Sequence, residues 1–389
     1  MEKKINLKIF NSKKNIEIQS LGYGLNLFLP TFVLISSSFF REYVLAAELG
    51  IIIGTNIIFT QIFSANLRSI IISKNNSDNI YSYLVFRLII SIFIIIINIV
   101  IFLNYNFINT LILIQITLLI VIQWMCELIL TFYELKNYTK KFLQYCFISF
   151  IFIILILVSF LYNLSIIFIL VFFNLLLILF LINSIYKINR KKLFLKKIFF
   201  NIIKSSSFFS SLSISLSNLV WRILIISFCG KILAGIFFSS FALGSLPGTL
   251  FNNSFGPSMI KKNLKINYVM LIKFIWFFLT VISLTICYLN KDKIFYENEF
   301  TMLFGITISM MGSSLMLKGL FYRQFLIQNT NFKSFIFKYD IFYSFIICLI
   351  VPFLYMIGGA NLIIFSFFTS SFTSYLMYRL IFQKLKNIK

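Results

Sequence analysis

Four polar residues recur at helical spacing inside an otherwise apolar segment, residues 205–229. Their spacing of i, i+4, i+7 and i+11 places them on one face of a helix: Ser211, Ser215, Asn218 and Arg222. The guanidinium of Arg222 offers a planar fork of donors that matches phosphate oxygens, and the hydroxyl and amide groups can bond other hydroxyls. The stripe therefore predicts either an anion-binding face or a structural arginine bonded to a neighbouring helix.

A second polar face lies on residues 43–67. Glu48 lies about five residues from one end of this segment, and Arg222 lies about seven residues from one end of its own, which is about 10 Å at 1.5 Å per residue. If both segments cross a membrane, the two residues lie at similar depth in it. The same segment carries further small or polar residues: Gly50, Gly54, Gln61, Ser64 and Arg68. Because charges at membrane depth are costly and usually have a partner, we hypothesise that Glu48 and Arg222 pair as a gate.

A third face, on residues 110–131 and just beyond, holds Gln123, Glu127, Thr131 and Glu134. It predicts either a stripe that bonds lipid headgroups or a face turned to a cavity. Glu48, Glu127 and Glu134 are the acidic candidates for coupling transport to a proton or sodium ion.

Pro247 lies between Gly244 and Gly248 and predicts a flexible point or a simple kink, because proline removes a backbone donor and glycine relaxes the dihedral angles.

The elements that carry these faces are apolar throughout. The chain has 389 residues, of which 60% are hydrophobic, 19% aromatic and 12% charged. A soluble domain keeps roughly a quarter of its residues charged, so the composition excludes a soluble globular enzyme. Apolar runs of about 20 residues match the thickness of a bilayer. The sequence predicts an all-α polytopic membrane protein.

Polar breaks divide the chain into twelve predicted spans. These are 21–40, 43–67, 83–103, 110–131, 142–162, 164–186, 205–229, 232–256, 268–290, 299–318, 337–357 and 361–381. The charged N-terminal 19 residues are followed by no small-residue cleavage site, so the first span is predicted to be an anchor and not a signal peptide.

The positive-inside rule tests this count independently. Of the 35 Lys and Arg residues, 30 fall on the predicted inner side, including Arg87 and Lys273, which can snorkel from the inner ends of their spans, and 4 fall in outer loops. The bias alternates through all twelve crossings and places both termini in the cytoplasm. Arg41 and Lys231 lie in short outer loops. The net charge of +24 therefore reflects orientation and contact with anionic lipids, and nucleic acid is not predicted as a partner.

The longest basic interruption separates six spans from six. It predicts an N-terminal lobe over residues 1–186, a cytoplasmic linker over 187–204 and a C-terminal lobe over 205–389. A shift of 190 residues aligns Arg41 with Lys231 and Gly54 with Gly244, as an internal repeat would. Chance register between similar apolar segments is the alternative.

The residue types disfavour enzyme chemistry. The chain contains no histidine, and its five cysteines are scattered singly through apolar segments. No nucleophile–base set, phosphate-binding glycine loop or metal-ligand spacing is present, and we predict no cofactor and no metal. Short loops, two similar halves and buried cations instead favour a transporter.

Two stretches resemble a known family. They are FREYVLAAELGIIIGTNIIFTQIFSANLRSII (residues 40–71) and FCGKILAGIFFSSFALGSLPGTLFNNSFGPSMI (residues 228–260). With twelve spans, cytoplasmic termini and a basic middle loop, they resemble the polysaccharide-repeat flippases (O-antigen or Wzx type) of the multidrug/oligosaccharidyl-lipid/polysaccharide exporter superfamily. One departure concerns the seventh span, where many relatives carry an Asp and this chain has Trp221 and Arg222.

The resemblance implies a MATE-like fold, with two six-helix lobes around a central cavity that opens alternately to either side of a bacterial inner membrane. The implied substrate is an oligosaccharide on undecaprenyl pyrophosphate, for O-antigen or another surface polysaccharide, and a polysaccharide polymerase is a predicted partner. Arg222 and Asn218, with Arg68 or Arg87, are predicted to bind the pyrophosphate, while Ser211 and Ser215 can bond sugar hydroxyls. Arg41 and Lys231 are predicted to receive the phosphate on release.

Other functions remain open on the sequence. A multidrug cation antiporter of the same superfamily would need acidic residues in the cavity of the first lobe, and the first span has none. A membrane polysaccharide polymerase or ligase would need a large outer loop carrying Arg or His. A lipid scramblase or a structural membrane protein is also compatible with the composition.

Overall fold

The computed structural model describes the backbone of residues 2–64, 67–68, 71, 80–104, 107–188, 195, 198–199, 206–250, 267–328 and 333–386, with side chains from residue 18 onward in most of these ranges. The predicted linker, residues 187–204, therefore lies largely outside the described residues, as do the end of the eighth predicted span and the side chain of Lys273.

All long elements in the described ranges are α-helices, so the predicted all-α class is confirmed. They are α1 (Glu2–Phe39), α2 (Tyr43–Ser64), α3 (Ile80–Asn104), α4 (Thr110–Leu135), α5 (Thr139–Leu161), α6 (Ile166–Ile185), α7 (Ser206–Leu250), α8 (Asn267–Leu289), α9 (Asn298–Gln328), α10 (Lys333–Leu362) and α11 (Ser366–Lys386).

Nine apolar stretches among the described residues are long enough to cross a membrane, judged by length and composition. Two of them are about twice the necessary length: 41 residues within α7 and 47 residues over α10 and α11. Both contain glycines with non-helical backbone, Gly230 at φ 75° and Gly359 at φ 70°, a conformation that glycine adopts without a steric penalty. We call the arms of α7 on either side of Gly230 α7a (206–229) and α7b (231–250).

Each arm of these broken helices matches one predicted span. A shorter apolar helix, Trp276–Leu289 within α8, matches the ninth predicted span. All twelve predicted spans therefore coincide with helix in the described part of the chain.

The chain divides into two compact units. The N-terminal unit contains residues 2–33 and the described residues between 63 and 199. The middle of α4 is buried here on nearly all sides, whereas α3, α5 and α6 expose large apolar side chains such as Phe93, Phe147 and Phe168. In water such a surface would drive association, and in a bilayer it faces lipid.

The C-terminal unit contains residues 34–62 together with the described residues of 206–250 and 267–386. Residues 34–62 form the second part of α1 and most of α2, and they pack on α7. Ser38 lies 2.5 Å from Ser239, hydroxyl to hydroxyl, and a Cβ atom added to Gly235 would overlap the carbonyl of Tyr43. Small residues at these positions allow the helix backbones to approach closely.

The two units of the structure differ from the predicted lobes in where they place residues 34–62. The sequence places them with residues 1–186, because they precede the basic linker, whereas in the structure they contact α7a and α7b. The lobe boundaries at 186 and 205 stay a prediction.

Candidate functional site

Arg222 projects from α7a toward α2. Its guanidinium donates to the backbone carbonyl of Gly50 and lies 5.6 Å from the centre of the Phe238 ring. The stem of the side chain packs against Gly54, where an added Cβ would lie 3.1 Å from the Arg222 Cδ. Gly54 of the predicted α2 face thus makes room for the arginine, which remains half-buried, whereas a Cβ added to Gly50 would overlap the Phe238 ring.

Seven residues before Arg222 on α7a, and so further from Gly230, α7a and α2 contact each other through uncharged groups. The hydroxyl of Ser215 lies 2.8 Å from Gln61 Oε1 and 2.6 Å from the carbonyl of Ser211. Ser215 is buried, whereas Gln61 is exposed and Ser211 is half-buried. Two residues of the predicted stripe, Ser215 and Arg222, therefore contact α2, and Ser211 contacts Ser215 on the same face of α7a.

Asn218 is the fourth residue of the stripe and lies between Ser215 and Arg222 in the sequence. Its side chain is half-buried, and its amide makes no hydrogen bond to another described residue. Because the side chain is only half-buried, its amide can be reached by a ligand at this position.

Glu48 contacts Lys231 and not Arg222. Glu48 Oε1 lies 3.0 Å from Lys231 Nζ, and the side chains are 1% and 42% exposed. The hypothesised pair between Glu48 and Arg222 thus gives way to two adjacent contacts between α2 and α7: Glu48 with α7b, and Gly50 with Arg222 of α7a. Both contacts lie in the part of the C-terminal unit near Gly230.

Arg41, also predicted at the outer mouth, forms an ion pair with Glu299 at the start of α9. Their side chains are 74% and 58% exposed. Solvent-exposed pairs contribute about 0–1 kcal/mol, so this contact leaves Arg41 readily available to another anion.

Arg68 lies in the N-terminal unit within a cluster of polar groups. Its Nε and Nη2 atoms lie 3.3 and 3.2 Å from Glu134 Oε2, and the same oxygen accepts a bond from the hydroxyl of Tyr23 at 2.9 Å. The guanidinium carbon is 3.4 Å from the centre of the Tyr23 ring. The predicted α4 face here binds protein groups of α1 and of the segment after α2.

Arg87 forms the second ion pair of this unit. It is fully buried, its Nη1 lies 2.9 Å from Glu127 Oε2, and its Nη2 lies 3.2 Å from the Ser64 hydroxyl. It also donates to the Trp124 carbonyl. The sequence predicts that Arg87 snorkels to the membrane interface; in the structure it turns toward α4, where Glu127 supplies a carboxylate.

Sequence reasoning missed one cluster, in the C-terminal unit. Asp340 of α10 is buried and receives Nε and Nη2 of Arg323 at 3.1 and 2.9 Å. Ser210 of α7a and Tyr378 of α11 also bond its carboxylate. The available signal was Asp340 itself, which is the single acidic residue of the predicted span 337–357.

The buried cations therefore differ in how their charge is balanced. Arg68, Arg87 and Arg323 each contact a carboxylate. Arg222 instead contacts a backbone carbonyl, and no carboxylate of a described residue lies within 4.0 Å of it. A carbonyl carries a dipole but no net charge, so Arg222 retains its positive charge for an incoming anion.

The carboxylates show the complementary pattern. Glu48, Glu127, Glu134 and Asp340 are each paired with a basic side chain. Among the described residues, no group of three His, Cys, Asp or Glu side chains is arranged to hold a metal ion.

Neither a protein-family profile nor a curated protein sequence matches this chain. Solved structures do match in fold. They include a MATE mutant (TM-score 0.58, 14% identity), a multidrug resistance MATE family transporter of the MOP superfamily in an outward-facing conformation (TM-score 0.57, 12% identity) and a MATE in complex with MaD3S (TM-score 0.57, 15% identity). Each match covers 96% of this chain and 97% of the other.

Proposed function

From this MATE-type fold, built of apolar helices along the whole chain, we propose that the protein is an alternating-access transporter. Its proposed substrate is a lipid-linked oligosaccharide carried on undecaprenyl pyrophosphate, which it moves from the inner to the outer leaflet of a bacterial inner membrane. A proton or sodium ion is the proposed coupling ion, and a polysaccharide polymerase is the proposed partner that uses the product.

One observation carries this proposal: the half-buried Arg222 faces a carbonyl, while Arg68, Arg87 and Arg323 face carboxylates. A pyrophosphate group cannot cross hydrocarbon unaided, and its oxygens match the arginine fork. The bond from Arg222 to the Gly50 carbonyl is charged on one side only, whereas an arginine–phosphate pair is charged on both sides and is frequently bidentate. A pyrophosphate therefore competes well with the Gly50 carbonyl.

This competition gives the proposal a mechanism. In the structure, Arg222 holds α7a against α2 through Gly50. A pyrophosphate that takes over the guanidinium removes this tie between the two helices. Binding of the headgroup thereby weakens the same contact that must open if the substrate is to leave near Lys231 and Arg41.

Arg68 and Arg87 have a different place in the proposal. Their ion pairs with Glu134 and Glu127 link α4 to α3 and to the segment after α2. A substrate phosphate would have to displace a carboxylate from either arginine. We therefore rank both below Arg222 as phosphate ligands, and the effect of Arg68→Ala and Arg87→Ala on lipid binding discriminates these roles.

A multidrug cation antiporter is the alternative of the same fold. A cationic drug needs a carboxylate that is available to it, whereas Glu48, Glu127, Glu134 and Asp340 are each ion-paired. The charge balance around Arg222 thus favours an anionic substrate.

Complementation of a bacterial strain that lacks its polysaccharide flippase tests the proposal. We expect the wild-type chain to restore surface polysaccharide and Arg222→Ala to fail at equal membrane expression. Arg379→Ala, which removes an exposed arginine of α11, is the matched control. Full restoration by Arg222→Ala would remove Arg222 from the proposal, and failure of the wild-type chain with each of several lipid-linked repeat units would contradict the substrate class.

A further inference from the structure

Gln61 lies at the edge of the candidate site and has no role in the proposed binding of pyrophosphate. It is an exposed amide on the apolar helix α2, and its Oε1 lies 2.8 Å from the buried hydroxyl of Ser215. The Ser215 hydroxyl has one proton, which it can donate either to Gln61 or to the carbonyl of Ser211. In either arrangement part of the Gln61 amide is left to face its surroundings.

The contact between Gln61 and Ser215 has a fixed relation to Arg222. Gln61 follows Gly54 by seven residues on α2, and Ser215 precedes Arg222 by seven residues on α7a. Seven residues of helix span about 10 Å. The two helices therefore meet at two levels about 10 Å apart, one cationic and one neutral, and the neutral level lies toward the predicted inner side.

We infer that Gln61, held by Ser215, is a specificity-determining residue that hydrogen-bonds the hydroxyl or amide groups of the sugar attached to the pyrophosphate. This inference rests on the proposed function. A sugar joined directly to the pyrophosphate lies next to the group that Arg222 binds, and it presents neutral donors and acceptors. An amide supplies both a donor and an acceptor, whereas an aliphatic side chain at this position would supply neither.

The half-buried Asn218 lies between the two levels and supports this arrangement. Its amide is within the same stripe and makes no hydrogen bond to another described residue. The sequence of groups along the helix pair is thus guanidinium, amide, and then the hydroxyl and amide of Ser215 and Gln61. This order matches a charged headgroup followed by a glycan.

Binding of two fluorescent lipids to the purified full-length protein tests the inference. One probe is a short-chain polyprenyl pyrophosphate that carries a single N-acetylhexosamine, and the other is the same lipid without sugar. A neutral hydrogen bond contributes about 0.5–1.5 kcal/mol, and 1.4 kcal/mol is a tenfold change in Kd. We expect Gln61→Leu to weaken binding of the sugar-bearing lipid up to about tenfold and to leave the sugar-free lipid within about twofold.

Gln144→Leu is the matched control, because Gln144 is also exposed and hydrogen-bonded, to Lys141 at 2.7 Å, but lies on α5. Ser215→Ala is a second variant that keeps the test informative if Gln61→Leu folds poorly, and we expect it to cause a smaller loss with the same selectivity. An equal loss for both lipids, or no loss for the sugar-bearing lipid, would overturn the inference while leaving the role of Arg222 intact. A wild-type protein that binds neither lipid would overturn the proposed function and the inference together.

Discussion

The guanidinium of Arg222 on α7a donates to the backbone carbonyl of Gly50 on α2. This contact joins helices that the sequence assigns to opposite halves of the chain, and it leaves the arginine without a carboxylate partner within 4.0 Å among the described residues. The Arg222 side chain thus holds α2 and α7a together, and its positive charge is not balanced by a carboxylate of a described residue.

The first prediction concerns the close approach of α2 and α7b. An alanine Cβ at Gly235 would overlap the Tyr43 carbonyl, which belongs to backbone and cannot move alone. We expect Gly235→Ala to lower the melting temperature of the detergent-solubilised protein, with a destabilisation of about 1–3 kcal/mol typical of overpacking.

Gly248→Ala on the same helix is the control for this prediction. Its added Cβ would lie 2.9 Å from Met316 Sδ, at the flexible part of a side chain that can turn aside. If the two variants melt at the same temperature, the contact between Gly235 and Tyr43 does not limit helix packing.

The second prediction concerns the ion pair between Glu48 and Lys231. If this part of the α2–α7 contact must separate for release to the outside, a covalent link across it will stop transport. We expect a short bis-maleimide to crosslink Glu48→Cys with Lys231→Cys in a cysteine-free background and to block restoration of surface polysaccharide.

A second cysteine pair, Lys293→Cys with Glu297→Cys, serves as the control, because the native side chains lie 3.6 Å apart, are about half exposed and are separated by only four residues of the chain. We expect this pair to crosslink without loss of transport. Normal transport in fully crosslinked Glu48→Cys/Lys231→Cys protein would show that α2 and α7b need not separate.

The third prediction concerns Asp340, whose carboxylate is fully buried against Arg323. Removal of one partner leaves a buried charge uncompensated, at a typical cost of about 3–5 kcal/mol. We expect Asp340→Ala to reduce the yield and melting temperature of the protein severely. The double change Asp340→Leu with Arg323→Met should be milder, since apolar replacement of a whole buried pair is often neutral.

Lys293→Ala provides the comparison for an exposed ion pair. Lys293 and Glu297 lie 3.6 Å apart with side chains about half exposed, and such pairs contribute little. Equal melting temperatures for Asp340→Ala and Lys293→Ala would argue against Asp340 as a structural tie among α7a, α10 and α11.

The helices themselves could be predicted from the sequence because apolar runs of bilayer length and the alternating bias of Lys and Arg are strong signals. The polar stripe of α7a was also predictable, since helical spacing fixes which residues share a face. Partners were harder to predict. Counting residues from the ends of the predicted spans predicts similar depths for Glu48 and Arg222, but position along a helix axis does not fix rotation about it. In the structure Lys231 reaches the Glu48 carboxylate from the turn at Gly230.

Two other features could not be read from local patterns. Arg323 lies outside the predicted span 299–318, but α9 continues to Gln328 and brings Arg323 to the carboxylate of Asp340. Residues 34–62 pack with α7 through small side chains such as Ser38 and Gly235. Small residues give no hydrophobic periodicity, so their role emerges only from the packing.

Binding of a sugar-free polyprenyl pyrophosphate to purified protein is the most direct test of the central claim, that Arg222 binds the headgroup. Hydrogen bonds to charged groups contribute about 1.5–3 kcal/mol, so we predict that Arg222→Ala weakens binding at least about tenfold. Arg222→Lys should fall between, because it keeps the charge but loses the fork, and Arg379→Ala should match the wild type. Unchanged affinity in a correctly folded Arg222→Ala protein would contradict the account.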